Sequence, residues 1–334
     1  MLFSGDLGNG YIKCKSSMCA ADSYRSVISV VSENLGNFKL DLSKTNHDLV
    51  IGFEGKTYAV GETVETHGLT PINISHRSRI KTDYYRVLFA SALARTIWED
   101  CDPKVVLSLP PASYWDKDLL KAALAGTYKV DIPSFRTMTY EITPDNMSVL
   151  PEGVGAVCML ILDENGHEKQ TRIDLANLPV GIVDIGTYTT DFIQLSSLKI
   201  VRNGCDSLPH ALHDVHSKLR TYAQKAGYDL DAWNVDKVLN QGWFMLSGEK
   251  HYFNDQIDNW FGELVPAIAG QIRTLWNGGD DVASILITGG GSLFTYDLLA
   301  MEFPHLHMVE EGVLPHLVNC EGAYRRMLLR ERAR

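Results

Sequence analysis

Apolar and polar residues alternate along the chain with two different periods, which predicts a mixture of strands and helices. In the first half, short apolar or alternating runs predict strands, and the tight turn Glu54-Gly55-Lys56 predicts a hairpin. The predicted strands are LFSGD, YIKCK, YRSVISVV, DLVIGF, TYAVGE, KVVLSLP, YKVDI and FRTMTYEI. Apolar residues at helical spacing predict helices over Asp83–Asp100 and over YWDKDLLKAALAG, which closes on Gly126.

The second half begins with a predicted helix over Pro151–Ile161, entered through a Pro-Glu start. The polar turn Asp163-Glu164-Asn165-Gly166 follows, and we expect it to separate two lobes. Further helices are predicted over Leu208–Ala226, Leu230–Gln241 and Gln256–Trp276, with the strand VASILIT before Gly289 and the closing helical segment VNCEGAYRRMLLRERAR.

Composition limits the classes to which the protein can belong. With 334 residues, 45% hydrophobic and 22% charged, the chain is long enough for two lobes with separate cores. A formal net charge of -10 disfavours direct nucleic-acid binding through a basic face. The sequence has no apolar run near the roughly 18 residues of a membrane span and no signal-peptide pattern, so we expect a cytoplasmic protein without a membrane segment. Six cysteines without a CxxC pair fit reduced thiols.

Two stretches half a chain apart share an acidic turn between strands. In LFSGDLGNGYIKCK and GIVDIGTYTTDFIQL, Asp6 and Asp184 are each followed by one apolar residue, a glycine and a polar turn. Glycine allows backbone N–H groups to approach a phosphate without a Cβ in the way. One such turn is most simply a tight turn. Two can face each other across a cleft and hold a phosphate chain, with both aspartates holding waters of a Mg²⁺ ion and Thr187, Thr189 and Thr190 adding donors.

A third, glycine-rich turn strengthens the prediction of a nucleotide site. SILITGGGSLF runs from a buried strand through Gly289-Gly290-Gly291-Ser292 into a helical stretch, so backbone can approach a ribose and α-phosphate. A dinucleotide-binding GxGxxG is excluded because Phe294 stands where its last glycine is required. A P-loop is excluded because Gly55-Lys56-Thr57 lacks the leading glycine, Val50 being there, and its flanks alternate like a hairpin.

The order of four motifs resembles the actin-like ATPase superfamily. DLGNG, PEGVGA, VDIGTYTTD and ITGGGS match its first phosphate loop, first connecting helix, second phosphate loop and adenosine loop. The chain is most similar to ParM/StbA-type plasmid-segregation and archaeal or bacterial actin-like proteins, through LSLPPASYWDKDLLKAALAG, IGFEGKTYAVGE and CEGAYRRM. The resemblance covers essentially the entire chain. It implies an α/β, actin-like (ribonuclease H-like) duplicated two-lobe ATPase fold with the nucleotide in the interlobe cleft. The expected lobes are residues 1-162 plus 315-334, with a small hairpin subdomain at about 25-80, and residues 163-314.

The resemblance also implies roles for individual residues. Asp6 and Asp184 would be the metal-site residues, and Glu152 and Asp184 the catalytic ones, with Glu152 orienting the attacking water and accepting its proton. The alternative for Glu152 is an acidic residue in the first turn of a helix, stabilised by the helix dipole. Lys218 would approach the base. The implied nucleotide-binding residues are Asp6, Gly8, Asn9, Gly10, Gly186, Thr187, Tyr188, Lys218, Gly289, Gly290, Gly291 and Ser292.

Other conspicuous residues have simpler explanations. His210, His213 and His216 fall on one predicted helical face, and we favour ordinary surface or interlobe histidines over a metal site. The basic stretch ISHRSRIK, residues 74-81, is expected to be a solvated loop, the alternative being a contact with an acidic partner or a neighbouring subunit. The arginines of the last helix are expected to complement its dipole rather than contact nucleic acid; they are Arg325, Arg326, Arg330, Arg332 and Arg334.

Three functions remain open at this point. The leading one is an ATPase that binds and hydrolyses ATP, or alternatively GTP, with Mg²⁺ and polymerises with copies of itself into nucleotide-dependent filaments. Such filaments would serve plasmid or DNA segregation, through a DNA-binding adaptor protein, or intracellular organisation. The first alternative is a small-molecule kinase of the same superfamily, for which only Asp145 offers a base beside the acceptor. The second is a nucleotide-gated chaperone or scaffold, for which a substrate domain after the last helix would be expected.

Overall fold

The computed structural model describes residues 1–31, 49–72, 79–133, 135–231, 234–309 and 312–333. Contacts divide the chain into two units. The first unit contains Met1–Gln170 and Leu317–Arg334, and the second contains Thr171–His316. The predicted small hairpin subdomain and the basic stretch 74-81 lie partly outside the described residues.

The first unit contains two five-stranded sheets and the helices that cover them. Its strands are β1 (Leu2–Leu7), β2 (Tyr11–Ser16), β3 (Asp22–Arg25), β4 (Ile28–Val31), β5 (Leu49–Phe53), β6 (Lys56–Val60), β7 (Lys104–Leu109), β8 (Gly126–Ile132), β9 (Arg136–Ile142) and β10 (Met147–Pro151). Its helices are α1 (Glu62–Thr66), α2 (Asp83–Thr96), α3 (Lys117–Leu124), α4 (Val154–Ile161) and α9 (Val318–Arg332). The main sheet has the order β10-β7-β1-β2-β3, and the smaller sheet has the order β4-β6-β5-β8-β9.

The second unit is built around one sheet. Its strands are β11 (Pro179–Ile185), β12 (Thr190–Ser196), β13 (Lys199–Ile200), β14 (Asp206–Leu208), β15 (Trp243–Leu246), β16 (Glu249–Tyr252), β17 (Ser284–Thr288) and β18 (Leu306–Met308). Its helices are α5 (Leu212–Lys225), α6 (Val235–Gln241), α7 (Asn254–Leu275) and α8 (Ser292–Ala300). The main path of the sheet is β13-β12-β11-β17-β18, with β14 also paired to β12, while β15 and β16 form a separate hairpin.

The main sheets of the two units repeat one arrangement. In the first unit β1 is antiparallel to β2 and parallel to β7, which is parallel to β10. In the second unit β11 is antiparallel to β12 and parallel to β17, which is parallel to β18. The carboxyl ends of the parallel strands meet at one edge of each sheet, where such sheets bind ligands. The predicted duplicated α/β fold is therefore confirmed.

Burial explains the sequence pattern of these elements. β2 alternates buried with partly exposed residues, as expected of an antiparallel strand with one covered face, whereas β1 is buried along almost its whole length. In the first unit one core joins both sheets through α2, because the ring of Phe89 packs edge-on against Phe3 of the main sheet and Tyr128 of the smaller one. In the second unit the Trp276 ring fills the space over Gly181, where a Cβ would lie 2.6 Å from its Cζ3.

α4 and α9 are in direct backbone contact. Every residue of α4 is buried, in agreement with a helix that is apolar all round. A Cβ on Gly322 of α9 would lie 1.8 Å from the carbonyl oxygen of Gly155 in α4. Only glycines permit this approach, which places the amino terminus of α4 firmly at the end of β10.

Several element boundaries differ from those predicted. Pro151 ends β10, so the predicted helix over Pro151–Ile161 begins only at Val154. The helix predicted from Leu208 begins at Leu212, because residues up to Leu208 pair as β14 with β12, and the helix predicted from Leu230 begins at Val235. The hairpin of β15 and β16 was not predicted.

The turn Asp163–Gly166 belongs to the first unit and does not separate the two. The amide of Lys169 donates to the carbonyl of Ile161 at 2.8 Å, which folds the chain back after α4. A Cβ on Gly166 would lie 2.9 Å from the carbonyl oxygen of Arg325, so the turn packs on α9. The unit boundary therefore lies at Gln170 rather than at residue 162.

Two expectations from composition can be compared with the structure. All six cysteines are free thiols. Within the described ranges, no helix combines the length and the apolar character that crossing a bilayer requires.

Candidate functional site

The first acidic hairpin joins β1 to β2. Asp6 lies opposite Lys13 in the antiparallel register, is only 3% exposed, and has its Oδ2 atom 2.7 Å from Lys13 Nζ. The chain turns between Leu7 and Ile12, the last residues that pair. A Cβ on Gly8 would lie 2.6 Å from the carbonyl oxygen of Tyr11, so this tight turn requires glycine.

Arg79 holds this hairpin from outside it. Its guanidinium donates to the carbonyl of Gly8 at 2.9 Å and also to the carbonyl of Leu7. It also lies over the ring of Tyr85, with 5.3 Å between Cζ and the ring centroid. The expectation of a solvated loop is therefore wrong for Arg79, and residues 74–78 of that stretch lie outside the described residues.

Glu152 lies between β10 and α4. Its amide donates to the carbonyl of Leu109 at 2.8 Å, and Gly153, with a φ of 87°, follows it as the N-cap of α4. Glu152 thus precedes the helix, and its interpretation as a first-turn residue of the helix is wrong. Asn319 of α9 takes the capping role, since its Oδ1 accepts from the amides of Gly153 at 3.0 Å and Ala156 at 3.2 Å.

The charged groups of the first unit meet around Tyr85. This tyrosine is buried, and burial raises the pKa of its hydroxyl. The Arg79 guanidinium opposes that rise in pKa, whereas the carboxylates of Asp6 and Glu152 add to it. The charges of Arg79, Asp6 and Glu152 therefore all act on the buried Tyr85 ring. Glu152 thus lies at the same end of the main sheet as the first hairpin.

The second acidic hairpin joins β11 to β12 in the same register. Asp184 lies opposite Asp191, and the amide of Gly186 donates to the carbonyl of Thr189 at 2.9 Å to close the turn. The first amides of α5 also reach the hairpin, because Leu212 donates to the carbonyl of Gly186 at 3.3 Å and His213 to that of Thr187 at 2.7 Å. The helix amino terminus thereby fixes the direction of these peptide groups.

Asp191 is the second carboxylate of this hairpin. Burial raises the pKa of its carboxyl group, and hydrogen bonds from Ser207 and Thr189 partly oppose that rise. Thr189 Oγ1 donates to Asp191 Oδ2 at 2.9 Å, and Thr190 Oγ1 donates to the carbonyl of His210. These two hydroxyls are thus engaged within the unit.

The third glycine-rich turn lies directly against the second hairpin. Gly289 has a φ of 86°, and a Cβ there would lie 2.4 Å from Asp184 Oδ1. The amide of Gly291 donates to the carbonyl of Ile185 at 3.0 Å. Ser292 is fully buried and its hydroxyl donates to the carbonyl of Gly289 at 2.7 Å, so its side chain stabilises the turn itself. The structure therefore brings Asp184, the hairpin and the glycines predicted to line the adenosine into one cluster.

Lys218 lies on α5, beyond the residues that touch the hairpin. Its Nζ is 2.5 Å from Glu263 Oε2 of α7, and the side chain is about one-third exposed. Its predicted approach to the base stays a prediction. Asp145, the suggested kinase base, is exposed in a short turn at Pro144–Asn146.

The three histidines do not share one helical face. His210 precedes α5 and lies 3.0 Å from Asp214, His213 packs its ring on that of Tyr188 with 5.4 Å between centroids, and His216 is buried 2.9 Å from Asp236. In the part of the chain that the structure describes, no three His, Cys, Asp or Glu side chains group as metal ligands. The interpretation of the closing arginines as complementing the helix dipole agrees with Arg330 and Arg332, which lie in the last turn of α9, but is wrong for Arg325. Arg325 is buried and bonds Glu321 and the carbonyl of Leu162, while Arg334 lies outside the described residues.

Taken separately, each hairpin has groups that suit a magnesium nucleotide. Mg²⁺ prefers carboxylate and water oxygens and is usually held by one or two carboxylates together with phosphates, which Asp6, Asp184 and Asp191 can supply. The turn glycines leave backbone amides open to close approach, since a Cβ at Gly8 or Gly289 would collide with the turn. Asp6 is already paired with Lys13, so it would act on the metal through water, and the ammonium group would neutralise phosphate charge.

Comparison with family models identifies both halves of the chain. Residues 4–155 match the model described as the N-terminal domain of actin-like proteins. Residues 182–300 match the model described as the C-terminal part of the archaeal actin homologue MreB-like family. Among curated proteins no significant match to the chain was found.

Solved structures show the same fold over the full length. A 15-stranded ParM filament from Clostridium botulinum is 18% identical with a TM-score of 0.78, covering 98% of this chain and 99% of that chain. An archaeal actin homologue in complex with ADP is 20% identical with a TM-score of 0.76, with the same two coverages of 98% and 99%. A non-polymerisable quadruple mutant of pCBH ParM is 20% identical with a TM-score of 0.76, covering 97% of each chain. Together with the two domain matches, these structures show that the chain has the actin-like two-lobe α/β fold.

Proposed function

We propose that the protein binds and hydrolyses ATP with Mg²⁺ and polymerises into nucleotide-dependent filaments. The observation that carries this proposal is the repeated hairpin, which places Asp6 and Asp184 at the same register position beside a glycine turn. Each hairpin would contribute one set of amides and one carboxylate towards a phosphate chain and its metal. The ADP complex of an archaeal actin homologue and the filament of a ParM protein support the same proposal.

Each group has a separate part in the proposed reaction. The amides of the turn at Gly8, Asn9 and Gly10 and those of the turn at Gly186, Thr187 and Tyr188 bind phosphate oxygens, and Gly289, Gly290 and Gly291 lie along the adenosine. Glu152 orients the attacking water and accepts its proton. Asp6 and Asp184 would hold a magnesium ion through water molecules. Bound Mg²⁺ would supply charge neutralisation on the phosphates.

Filament assembly follows from the same cycle. A subunit contact that must bury roughly 1,000 Å² or more forms only when the two units hold one fixed arrangement, which bound nucleotide selects. Head-to-tail contacts that do not close produce an open polymer. We place this polymer in the cytoplasm, where a DNA-binding adaptor would attach it to a plasmid or other cargo.

Sedimentation of the purified full chain tests the proposal. We expect most protein in the supernatant without nucleotide, pelleted filaments with Mg²⁺ and ATP above a critical concentration, and their loss as phosphate is released. Parallel samples with GTP, with ADP and with EDTA define the nucleotide and the metal. A chain that stays monomeric at high concentration with Mg²⁺ and either ATP or a slowly hydrolysed analogue contradicts the filament proposal, and phosphate transfer to small acceptors would then be assayed.

A further inference from the structure

Arg79 holds the two carbonyl groups that determine the direction of the first hairpin's amides. Its guanidinium donates to the carbonyls of Leu7 and Gly8, which are consecutive along the turn. A trans peptide group is planar, so its C=O and N–H point in opposite directions. Fixing these carbonyls towards Arg79 therefore directs the N–H groups of Gly8 and Asn9 away from it.

The second hairpin has an equivalent restraint from a different source. There the amides of Leu212 and His213 at the start of α5 donate to the carbonyls of Gly186 and Thr187. Gly8 and Gly186 occupy the same position, directly after the last paired residue of the first strand of each hairpin. The carbonyl of this glycine is therefore held by a hydrogen bond in both hairpins. One unit uses a helix amino terminus, and the other uses a single guanidinium group.

Arg79 is itself held in place. Its guanidinium lies over the ring of Tyr85, which is buried in the first turn of α2. The amide of Tyr85 in turn donates to the side chain of Thr82, the N-cap of α2. A planar group with five N–H donors can bond two neighbouring carbonyls at once while it stacks on an aromatic face, which an ammonium group cannot reproduce.

We infer that Arg79 is a positioning residue that orients the amides of the first hairpin towards the phosphates of a bound nucleoside triphosphate. In this inference the identity of the ligand rests on the proposed function. The restraint that Arg79 places on the hairpin does not depend on that function. Without Arg79 the carbonyls of Leu7 and Gly8 would lose this restraint, and the amides of Gly8 and Asn9 would be less firmly directed. Arg79 touches neither phosphate nor metal in this role.

Three variants of the full chain separate the effect of the paired N–H donors of Arg79 from the effect of its charge. Arg79→Met keeps the aliphatic stem and removes every donor, and Arg79→Lys keeps the charge but loses the two-pronged geometry. Lys81→Met is the matched control, because Lys81 is an exposed cation of the same short helical turn. Circular dichroism and the unfolding midpoint without nucleotide verify that each variant is folded.

The first measurement needs no nucleotide. Hydrogen exchange followed by mass spectrometry on peptides spanning residues 5–12 should be at least about tenfold faster in Arg79→Met and Arg79→Lys than in wild type, because local opening of the turn becomes easier. Lys81→Met should exchange like wild type. Unchanged exchange in Arg79→Met would overturn the inference whatever the protein binds.

The second measurement uses fluorescent Mg·ATP and Mg·ADP as probes. Loss of a charge-assisted bidentate contact should weaken ATP binding about 10- to 100-fold in Arg79→Met. The ATP affinity of Arg79→Lys should be closer to that of Arg79→Met than to that of wild type. The ratio of ATP to ADP affinity should fall as well, which general destabilisation would not produce. Equal ATP affinity in Arg79→Met and wild type would also overturn the inference. A wild-type protein that binds neither nucleotide would instead contradict the proposed function, and the exchange result would still decide the role of Arg79.

Discussion

The two acidic hairpins have the same backbone and different charge. Asp6 and Asp184 occupy one register position, but Asp6 faces Lys13 whereas Asp184 faces Asp191. The first hairpin therefore pairs its carboxylate with a cation 2.7 Å away, whereas the second has two aspartates at opposite positions of its strand pair. The comparison shows that a repeated turn can keep its amides and its acidic residue while the residue across the strand changes from a cation to an anion.

This difference suggests a division of labour between the hairpins. A carboxylate already neutralised by an ammonium group attracts a metal ion weakly, whereas neighbouring carboxylates attract it more strongly. We therefore expect the second hairpin to contribute more to Mg²⁺ binding. In the proposed reaction the first unit would supply the catalytic group, because Glu152 follows β10 there and its carboxylate, like that of Asp6, acts on the buried Tyr85.

The largest expected effect concerns that chemical group. Glu152→Ala should keep nucleotide binding and slow hydrolysis about 10²- to 10⁴-fold, because a positioned base is lost. Its filaments should also persist longer, since the polymer would stay in the ATP state. Phosphate release and sedimentation measure both effects, with the exposed Glu164→Ala of the same unit as control. Unchanged turnover in Glu152→Ala would remove this residue from the reaction.

The two aspartates should respond differently to the same change. Both Asp6→Asn and Asp184→Asn should weaken Mg²⁺-dependent hydrolysis severely, because phosphate charge is then less well neutralised. Asp6→Asn should also lower the free energy of unfolding by about 2 kcal/mol, since the charge-assisted hydrogen bond between Lys13 Nζ and the buried Asp6 carboxylate is lost. Asp184→Asn removes a carboxylate that lies opposite another aspartate in the strand register, and like charges at opposite positions are unfavourable, so we expect a smaller loss of stability.

Thermal and urea unfolding without nucleotide, followed by a phosphate-release assay, distinguish these outcomes. An equal loss of stability in both variants would mean that the charge difference between the hairpins has no energetic consequence. Wild-type hydrolysis in either variant would exclude that hairpin from the nucleotide site.

The repeated turn was predictable from the sequence because its signal is local. An apolar run, an aspartate, a glycine and a second alternating run determine the strand pair and its register. That register also places Lys13 opposite Asp6 and Asp191 opposite Asp184, so both partners could have been found by counting across the turn. The glycines at 289–291 were equally visible, since a run of three between strand and helix has few other uses.

The missed parts of the candidate site depend on contacts distant in sequence. Arg79 lies more than sixty residues after the carbonyls that it holds, and its basic surroundings suggested solvent. Asn319 caps α4 from the other end of the chain, and nothing near Glu152 indicates this. The start of α4 was misplaced for the same reason, because pairing of Pro151 with Leu109 in β7 extends the strand through a residue that usually opens helices.

A smaller effect tests Gly289, the glycine that lies against the Asp184 carboxylate. Gly289→Ala should destabilise the protein by about 2 kcal/mol and weaken nucleotide binding, because alanine disfavours a φ of 86° and its Cβ would collide with Asp184 Oδ1. Gly248→Ala is the matched control, since Gly248 has the same φ of 86° and a Cβ there would have nothing within 4 Å. Unfolding midpoints and ATP titration measure the two effects. Equal behaviour of the two variants would mean that the position of Asp184 does not depend on this turn.

The smallest expected effect is the dependence of folding stability on the Asp191 carboxylate. In the first hairpin, Lys13 occupies the position that corresponds to Asp191. Burial raises the pKa of Asp191 in the folded protein above its value in the unfolded chain. At a pH below both values the group is protonated in both states, and as pH rises through the folded pKa its ionisation costs the folded state stability. Asp191→Asn should therefore have a higher unfolding midpoint than wild type at about pH 7.5, and this advantage should vanish as pH falls to about 3.5. The exposed Asp174→Asn of the same unit controls for the change in net charge. An advantage that instead grows as pH falls would mean that Asp191 stabilises the fold as an anion, as Asp6 does beside Lys13.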